Sequence, residues 1–342
     1  MVKDDKKNIL PVGKLKMERL AGLLQKYKGA PDSSVVVGPE IGEDAAVINI
    51  NETLLIAKTD PITFATDRIG EYLINVNAND IACMGGNPKW FLATILLPEG
   101  KTDDALVEKL FSQMSDTCSS LGIAICGGHT EVTHGLDRPI VVGQMLGLVP
   151  KEGFIRSSGA KPGDHILLTK GVAVEATCLI AREKEDELIG KFDRHFIESC
   201  KGFLSSPGIS VLKDATIALD AGEVHAMHDP TEGGLATGLH ELSTASNVGI
   251  EVYGDKVPVF PETGKLCSFF NLDPLGVIAS GALLIVARPE SSERIIRALI
   301  SEGIPCAHIG IIKEKSEGIT IIKASKRRTL PCFDQDEISK IF

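Results

Sequence analysis

The sequence is short of the signals that usually assign a function. Its eight cysteines run from Cys83 to Cys332 without a CxxC pair, which excludes zinc-ribbon and thioredoxin-like spacings. The opening MVKDDKKNIL has no apolar core of the kind a signal peptide carries. No apolar run approaches the length of a membrane span. Reduced thiols in a cytoplasmic protein without membrane contact are therefore expected. Basic charge is scarce as well: 36 Lys and Arg stand against 46 Asp and Glu, a net charge of -10. That balance argues against a nucleic-acid binder, which needs a basic surface. It leaves room for a nucleotide carried with a metal ion, where carboxylates are wanted. Familiar nucleotide motifs are missing too. GKT at 100–102 has Ile95 where a P-loop needs glycine. No GxGxxG follows a strand, and kinase signatures are absent.

What is present suits a globular chain of two domains. There are 342 residues, 43% hydrophobic and 24% charged. Hydrophobic spacing predicts a helix from Lys14 to Tyr27 stopped by Gly29 and Pro31, then strands at Val35–Val37, Ala45–Ile50 and Thr53–Thr59, the last ending at Asp60. A helix over Arg68–Met84 follows, then a strand over Lys89–Leu97 and a helix capped by Thr102. Ile123–Cys126 reads as a short buried strand ending in GGHTE, and Pro139–Val149 as another. The Gly-, Ser- and Lys-rich stretch from Pro150 to Pro162 is the expected domain boundary. Beyond it, strands at His165–Thr169, Val224–His228, Ile250–Tyr253, Ala282–Ala287, Cys306–Ile312 and Ile319–Ile322 alternate with helices at 173–183, 187–204, 209–221, Leu235–Ser246, Glu262–Phe270 and 290–301. The basic KASKRR cluster at 323–328 reads as a solvated loop.

Asn75 to Pro88, NVNANDIACMGGNP, breaks several local rules at once. Asn77 and Asp80 share a helical face, the aspartate opposes the helix dipole near a C-terminus, and the asparagines lower helix propensity. Such conflicts mark functional or strained sites. Asp44, Asp60, Asp80, Glu131 and Asp229 all fall at element ends, many of them beside glycines. Grouped, they would repel one another unless a cation sits among them, and magnesium suits carboxylates plus phosphate oxygens. GPEIG, GGHT and Gly233-Gly234 could each present backbone N–H groups to phosphate. His129 lies within GGHTE and is a further candidate for ligand contact. His225 and His228, three apart on a strand, face opposite sides and read as structural. Cys83, by helical phase beside Asn79, reads as packing.

GEDAAVI, KTDPITFAT, NVNANDIACMGGNP, GGHTE, HDPTEGGL and DPLGVIASGALLI, in this order across roughly 35–325, resemble the AIR-synthase-like (PurM-like) ATP-binding superfamily, and within it the HypE branch of hydrogenase maturation proteins most. The resemblance implies an α+β fold of two domains, with the N-terminal sheets pairing into a barrel across a homodimer. It implies a lead-in and helix over 1–34, an ATP-binding domain over 35–152, a C-terminal domain over 160–325 and a tail over 326–342. ATP and Mg2+ are the implied cofactors. Asp44, Asp60, Asp80 and Asp229 would be metal residues, and Asp80, Asp229 and Glu131 catalytic. Gly42, Asn77, Gly127, Gly128 and Thr130 would bind the nucleotide. The implied chemistry is ATP-dependent activation of an oxygen on a small-molecule or carbamoyl-type acceptor, with a maturation protein as a possible partner. The chain departs from the branch in two places: it ends EISKIF rather than in a cysteine tail, with Cys332 ten positions earlier, and it carries Glu232 where the family has arginine. A kinase resembling thiamine-phosphate kinase and a non-catalytic nucleotide-binding regulator therefore remain alternatives.

Overall fold

A computed structural model describes residues 15–27 and 30–342. Lys14 and Gly29 of the expected first helix lie outside the described residues; α1 spans Met17–Lys26. The first half is a six-stranded sheet of β1 (Val35–Val37), β2 (Ala46–Ile50), β3 (Thr53–Ile62), β4 (Asn87–Pro98), β5 (Ala124–Thr133) and β6 (Ile140–Pro150), with α2 (Ile69–Cys83) and α3 (Asp104–Leu121) between strands. Its order is β1-β2-β3-β6-β4-β5, antiparallel except for the β4–β5 pair at one edge.

The second half builds a seven-stranded mixed sheet. In chain order come β7 (His165–Thr169), α4 (Val174–Glu183), α5 (Glu185–Leu188), α6 (Arg194–Gly202), α7 (Leu212–Ala221), β8 (Val224–His228), α8 (Gly234–Ser246), β9 (Gly249–Tyr253), α9 (Pro261–Phe270), β10 (Leu284–Ala287), α10 (Pro289–Ser301), β11 (Cys306–Lys313), β12 (Ile319–Lys323) and β13 (Lys326–Thr329). The sheet order is β13-β12-β9-β11-β7-β10-β8. The KASKRR cluster is thus not a loop: it turns β12 back as β13, with Lys323 opposite Lys326. None of the helices among the described residues is long and apolar enough to cross a membrane.

Helix α2 joins the two halves. Every one of its residues except Glu71 is buried, because it packs on β3, β6 and α3 on one side and on α7 and β8 on the other. Its early apolar residues, such as Tyr72 and Leu73, enter one hydrophobic core, while Ala82 and Cys83 enter a second core with Leu167, Val211 and Met227. Buried polar side chains must find partners or cost about 1–3 kcal/mol each, and the asparagines of α2 do. Asn77 accepts from the Asp60 N–H at 2.9 Å, and its amide nitrogen donates to Leu73 O at 2.9 Å and Asp60 O at 3.3 Å. Asn79, two residues on and pointing the other way, donates to Ile209 O and accepts from Val211 N, both at 2.9 Å. One amide grips the first sheet and the other the second half.

Three local expectations give way to the structure. Strand β3 runs through Asp60 and Pro61 to Ile62 rather than stopping at Thr59. Helix α3 is capped by Asp103, whose side chain accepts from Leu106 N, while the Thr102 hydroxyl donates to Pro98 O. Strand β5 is ten residues long and exposed along nine of them, instead of short and buried. Its Gly-Gly pair continues the strand rather than ending it: the register to β4 shifts just before the pair, at Cys126, and a Cβ on Gly128 would meet Ala93 O at 2.1 Å.

Asn79→Ala removes both bonds to the 209–211 loop and leaves a buried N–H and C=O unpaired. The expected loss is on the order of 3 kcal/mol, read as a lower urea midpoint; an unchanged midpoint would show that the helix is held by packing alone.

Candidate active site

Four of the predicted carboxylates converge where α2 ends between the two sheets. Lys58 and Asp60 stand two apart on β3 and so share a face, the one that α2 covers. The Lys58 ammonium lies 3.2 Å from Asp60 Oδ2 and 3.2 Å from Asp80 Oδ1. On the other side of Asp80, Asp229 follows β8 and accepts from the Cys83 thiol at 3.5 Å. Asp44, Cys83 and Asp229 each bring one ligand atom within 4.8 Å of the others. Asp44 is delivered by the turn before β2. Gly42 lets that turn lie against α8, since a Cβ there would meet Glu241 O at 2.7 Å.

Asp44, Asp80 and Asp229 are deeply buried and Asp60 is partly so, and the cluster is held by hydrogen bonds. Asp44 accepts from the Ser157 hydroxyl at 3.1 Å and pairs with His228 Nδ1 at 2.6 Å. His228 Nε2 meets Glu241 Oε2 at 3.0 Å. With a carboxylate on each ring nitrogen, both nitrogens donate; burial opposes the charge, but Asp44 and Glu241 hold the imidazole well above its ordinary pKa. Burial pushes Asp229 up to about 7, with Asp44 adding to it and His228 and Lys58 opposing. Asp80 is also raised by burial, against the pull of Lys58. Lys58 itself stays charged: desolvation is outweighed by Asp80, Asp60, Asp44 and Asp229. Burial and the adjacent Asp229 keep Cys83 a neutral thiol.

Asp80 Oδ2 and Asp229 Oδ2 are buried without a hydrogen-bond partner among the described residues. A set of hard carboxylate oxygens with unused lone pairs fits magnesium. A cavity of 570 Å³ lies nearby; none of the four aspartates lines it, and its link to the cluster runs through Glu241, the partner of His228, and through Pro61, the residue after Asp60. Glu232, Cys332 and Asp336 also face it.

The remaining predicted residues are placed differently. Asn77 is fully buried and its amide is engaged by backbone, so it fixes the Asp60 segment from behind. Gly127, Gly128, Thr130 and Glu131 lie on β5, at the far edge of the sheet. Asp60 is opposite Gly143, Gly143 opposite Ala93, and Ala93 opposite Gly128, three strand spacings or about 14 Å. Within one chain, then, Glu131 does not join the cluster; it pairs with His129 at 3.1 Å on the exposed strand. The helix start at Gly233-Gly234 does hold an anion, but it is the chain's own: Gly233 N donates to Asp336 Oδ2 at 2.6 Å.

Sequence reasoning missed three members. Lys58 carries a legible signal, the K-x-D spacing on a strand. His228 was correctly separated from His225, which pairs with Asp164 at 2.8 Å, but its carboxylate partners lie at distant positions in the chain. Cys83 is one turn from Asp80, and that phase faces Asp229.

A second buried carboxyl lies within electrostatic reach of Glu232 and Asp336. Glu175, in the first turn of α4, has Oε2 unpartnered among the described residues. Burial pushes it up to about 8, with Ser280 opposing and Glu232 and Asp336 adding. The folded pKa lies above the unfolded one, so the stabilisation is complete below about 4.5 and is lost as pH rises through about 8. Glu175→Gln is expected to remove that decline and to gain on the order of 4 kcal/mol over the wild type at pH 9. Urea midpoints from pH 4 to pH 9 check it, and parallel curves for the two proteins would contradict it.

The family model for the N-terminal domain of AIR synthase related protein matches residues 42–149, and that for the C-terminal domain matches 161–323. The chain is 27% identical over 338 residues to the "Putative hydrogenase expression/formation protein" of Methanocaldococcus jannaschii, covering 96% of this chain and 97% of that one. It is 26% identical over 265 residues to carbamoyl dehydratase HypE of Rhizobium leguminosarum bv. viciae, 75% of this chain and 73% of the relative. A solved structure of hydrogenase maturation protein HypE in complex with ATP superimposes with a TM-score of 0.70 at 22% identity, covering 93% of this chain and 90% of that one. At that identity the likeness establishes the fold.

Proposed function

Because the chain belongs to the AIR synthase related protein family, we propose that it is an ATP-dependent enzyme of the HypE-like branch that dehydrates a carbamoyl-type group. The observation that carries this reading is the convergence of Asp44, Asp60, Asp80 and Asp229, with two buried oxygens unpartnered among the described residues. The relatives described as carbamoyl dehydratase support the choice of reaction, and the ATP complex supports the nucleotide.

Asp44, Asp80 and Asp229, with Asp60 beside them, would hold magnesium. Bound there, the ion would neutralise and align a triphosphate, which is most of what phosphoryl transfer requires. The chain's own residues do the rest. His228 and Ser157 orient Asp44, Asn77 fixes the backbone of Asp60, and burial keeps bulk water from the reacting phosphate. In the proposed reaction the carbamoyl oxygen bonds to the γ-phosphorus as the bond to ADP breaks. The carbon–oxygen bond then breaks, the nitrogen gives up its two protons, and phosphate leaves carrying that oxygen. Carbamoyl compound and ATP thus give nitrile, ADP and phosphate. A carbamoyl group carried on a maturation partner protein is the acceptor class we favour, met in the cytoplasm.

The homodimer belongs to the same reading. Strand β5 is an edge with Ile125 and Val132 49% and 56% exposed, and such an edge invites pairing with another chain. Paired across two copies, it would close the N-terminal sheets into a barrel. The GGHTE residues Gly127, Gly128, Thr130 and Glu131 could then reach a nucleotide only in the neighbouring copy. Sedimentation velocity should show a dimer that Val132→Lys converts to monomer; a wild-type monomer would remove this part of the reading.

Asp80→Asn is expected to lower ADP formation by about a hundredfold or more with an unchanged circular dichroism spectrum. Wild-type ADP release should require a carbamoyl donor among a panel that also contains thiamine phosphate and aminoimidazole precursors. A phosphorylated acceptor in that panel would favour the kinase reading, and nucleotide binding without phosphate release the regulatory one. Unchanged turnover in Asp80→Asn would sink the site.

A further inference from the structure

The carboxylate cluster already contains one cation of its own. Lys58 projects from β3 into it with its side chain only 20% exposed, and its ammonium bridges Asp60 Oδ2 and Asp80 Oδ1 at 3.2 Å each. Asp60 and Asp80 come from different elements, a strand of the first sheet and the last turn of α2, so the ammonium links them as a bridging ion would. At the opposite end the resident cation, His228, meets Asp44 from one side and does not bridge it to Asp229. There Asp44, Cys83 and Asp229 bring ligand atoms within 4.8 Å of one another, and Asp229 Oδ2 is buried and unpartnered among the described residues.

We propose that Lys58 is a built-in cation that fills the Asp60–Asp80 position, so that the nucleotide-free site takes a single divalent ion, at the Asp44–Asp229 end. An ammonium carries one charge where a divalent ion carries two, yet at this position it neutralises the same pair of oxygens without needing to be recruited from solution. It also has three N–H donors. Two face the carboxylates, and the third is available to an oxygen of the terminal phosphate. Lys58 is then a positioning residue: it holds Asp60 and Asp80 at a fixed separation and sets how many metal ions the site accepts. Asp80 Oδ2 is also buried and unpartnered among the described residues, so it keeps lone pairs free for a divalent ion.

The inference rests on the reading of the cluster as a cation–phosphate site, and one experiment separates the two. Mn2+ is titrated into the full-length, nucleotide-free protein while free Mn2+ is followed by electron paramagnetic resonance. The wild type is expected to bind one Mn2+ per chain. Lys58→Gln is expected to bind two, because the vacated Asp60–Asp80 pair becomes a second position, and Lys58→Arg, which keeps the charge, is expected to stay at one. Two tightly held ions in the wild type, or one in Lys58→Gln, would overturn the role of Lys58 and leave the site itself standing. No bound Mn2+ in the wild type would overturn the cation site as well. If Lys58→Gln does not fold, the wild-type and Lys58→Arg counts decide.

Discussion

The structure depends on burying a polar helix between two sheets. Helix α2 has solvent access at Glu71 alone among its residues, so each polar side chain on it must be satisfied from inside. Asn77 and Asn79, turned to opposite sides, bind backbone of the first sheet and of the second half. Asp80, next in sequence, is then left at the junction of the two halves with one oxygen on Lys58 and the other unpaired. The segment that looks like a poor helix end is thus a clamp. Its conflicts with local propensity are met by tertiary hydrogen bonds, and the one group not fully met is the group available for chemistry.

Electrostatics follow from that burial. Desolvation raises Asp80 and Asp229, while Lys58 and His228 are kept charged by the carboxylates around them. The site is therefore preorganised as a set of mutually constrained ions where α2 ends between the two sheets. A magnesium–triphosphate pair would complete this balance from solution, at the cost of little rearrangement because the ligands are already fixed by strand, helix and hydrogen bond. The C-terminal segment enters the same region: Asp336 caps the start of α8, and Cys332 and Asp336 line the cavity. In this chain the segment before the end is part of the cavity wall.

Much of this was legible in the sequence, and the exceptions have physical reasons. Periodicity located α2, the strands around it and the alternation of the second half, because those elements pack one face or are wholly apolar. Gly-Gly at 127–128 misled, since a glycine pair signals a stop as readily as the close approach to Ala93 that it permits within β5. The acidic residues at element ends announced a site, and four of them meet in it. His228 and Cys83 were hidden because their partners, Asp44, Glu241 and Asp229, lie 184, 13 and 146 positions away, which no local pattern records. Lys58 could have been read from its place two residues before Asp60 on a strand.

The central claim is that these carboxylates serve transfer of a phosphoryl group to a carbamoyl oxygen, and isotope tracing tests it most directly. The protein is incubated with ATP, magnesium and an S-carbamoyl cysteine peptide labelled with 18O in the carbamoyl group, and the released phosphate is analysed by mass spectrometry. The account predicts one 18O in each phosphate formed, with the organic product converted to the nitrile. Phosphate free of label, or label retained in a phosphorylated organic product, would contradict it.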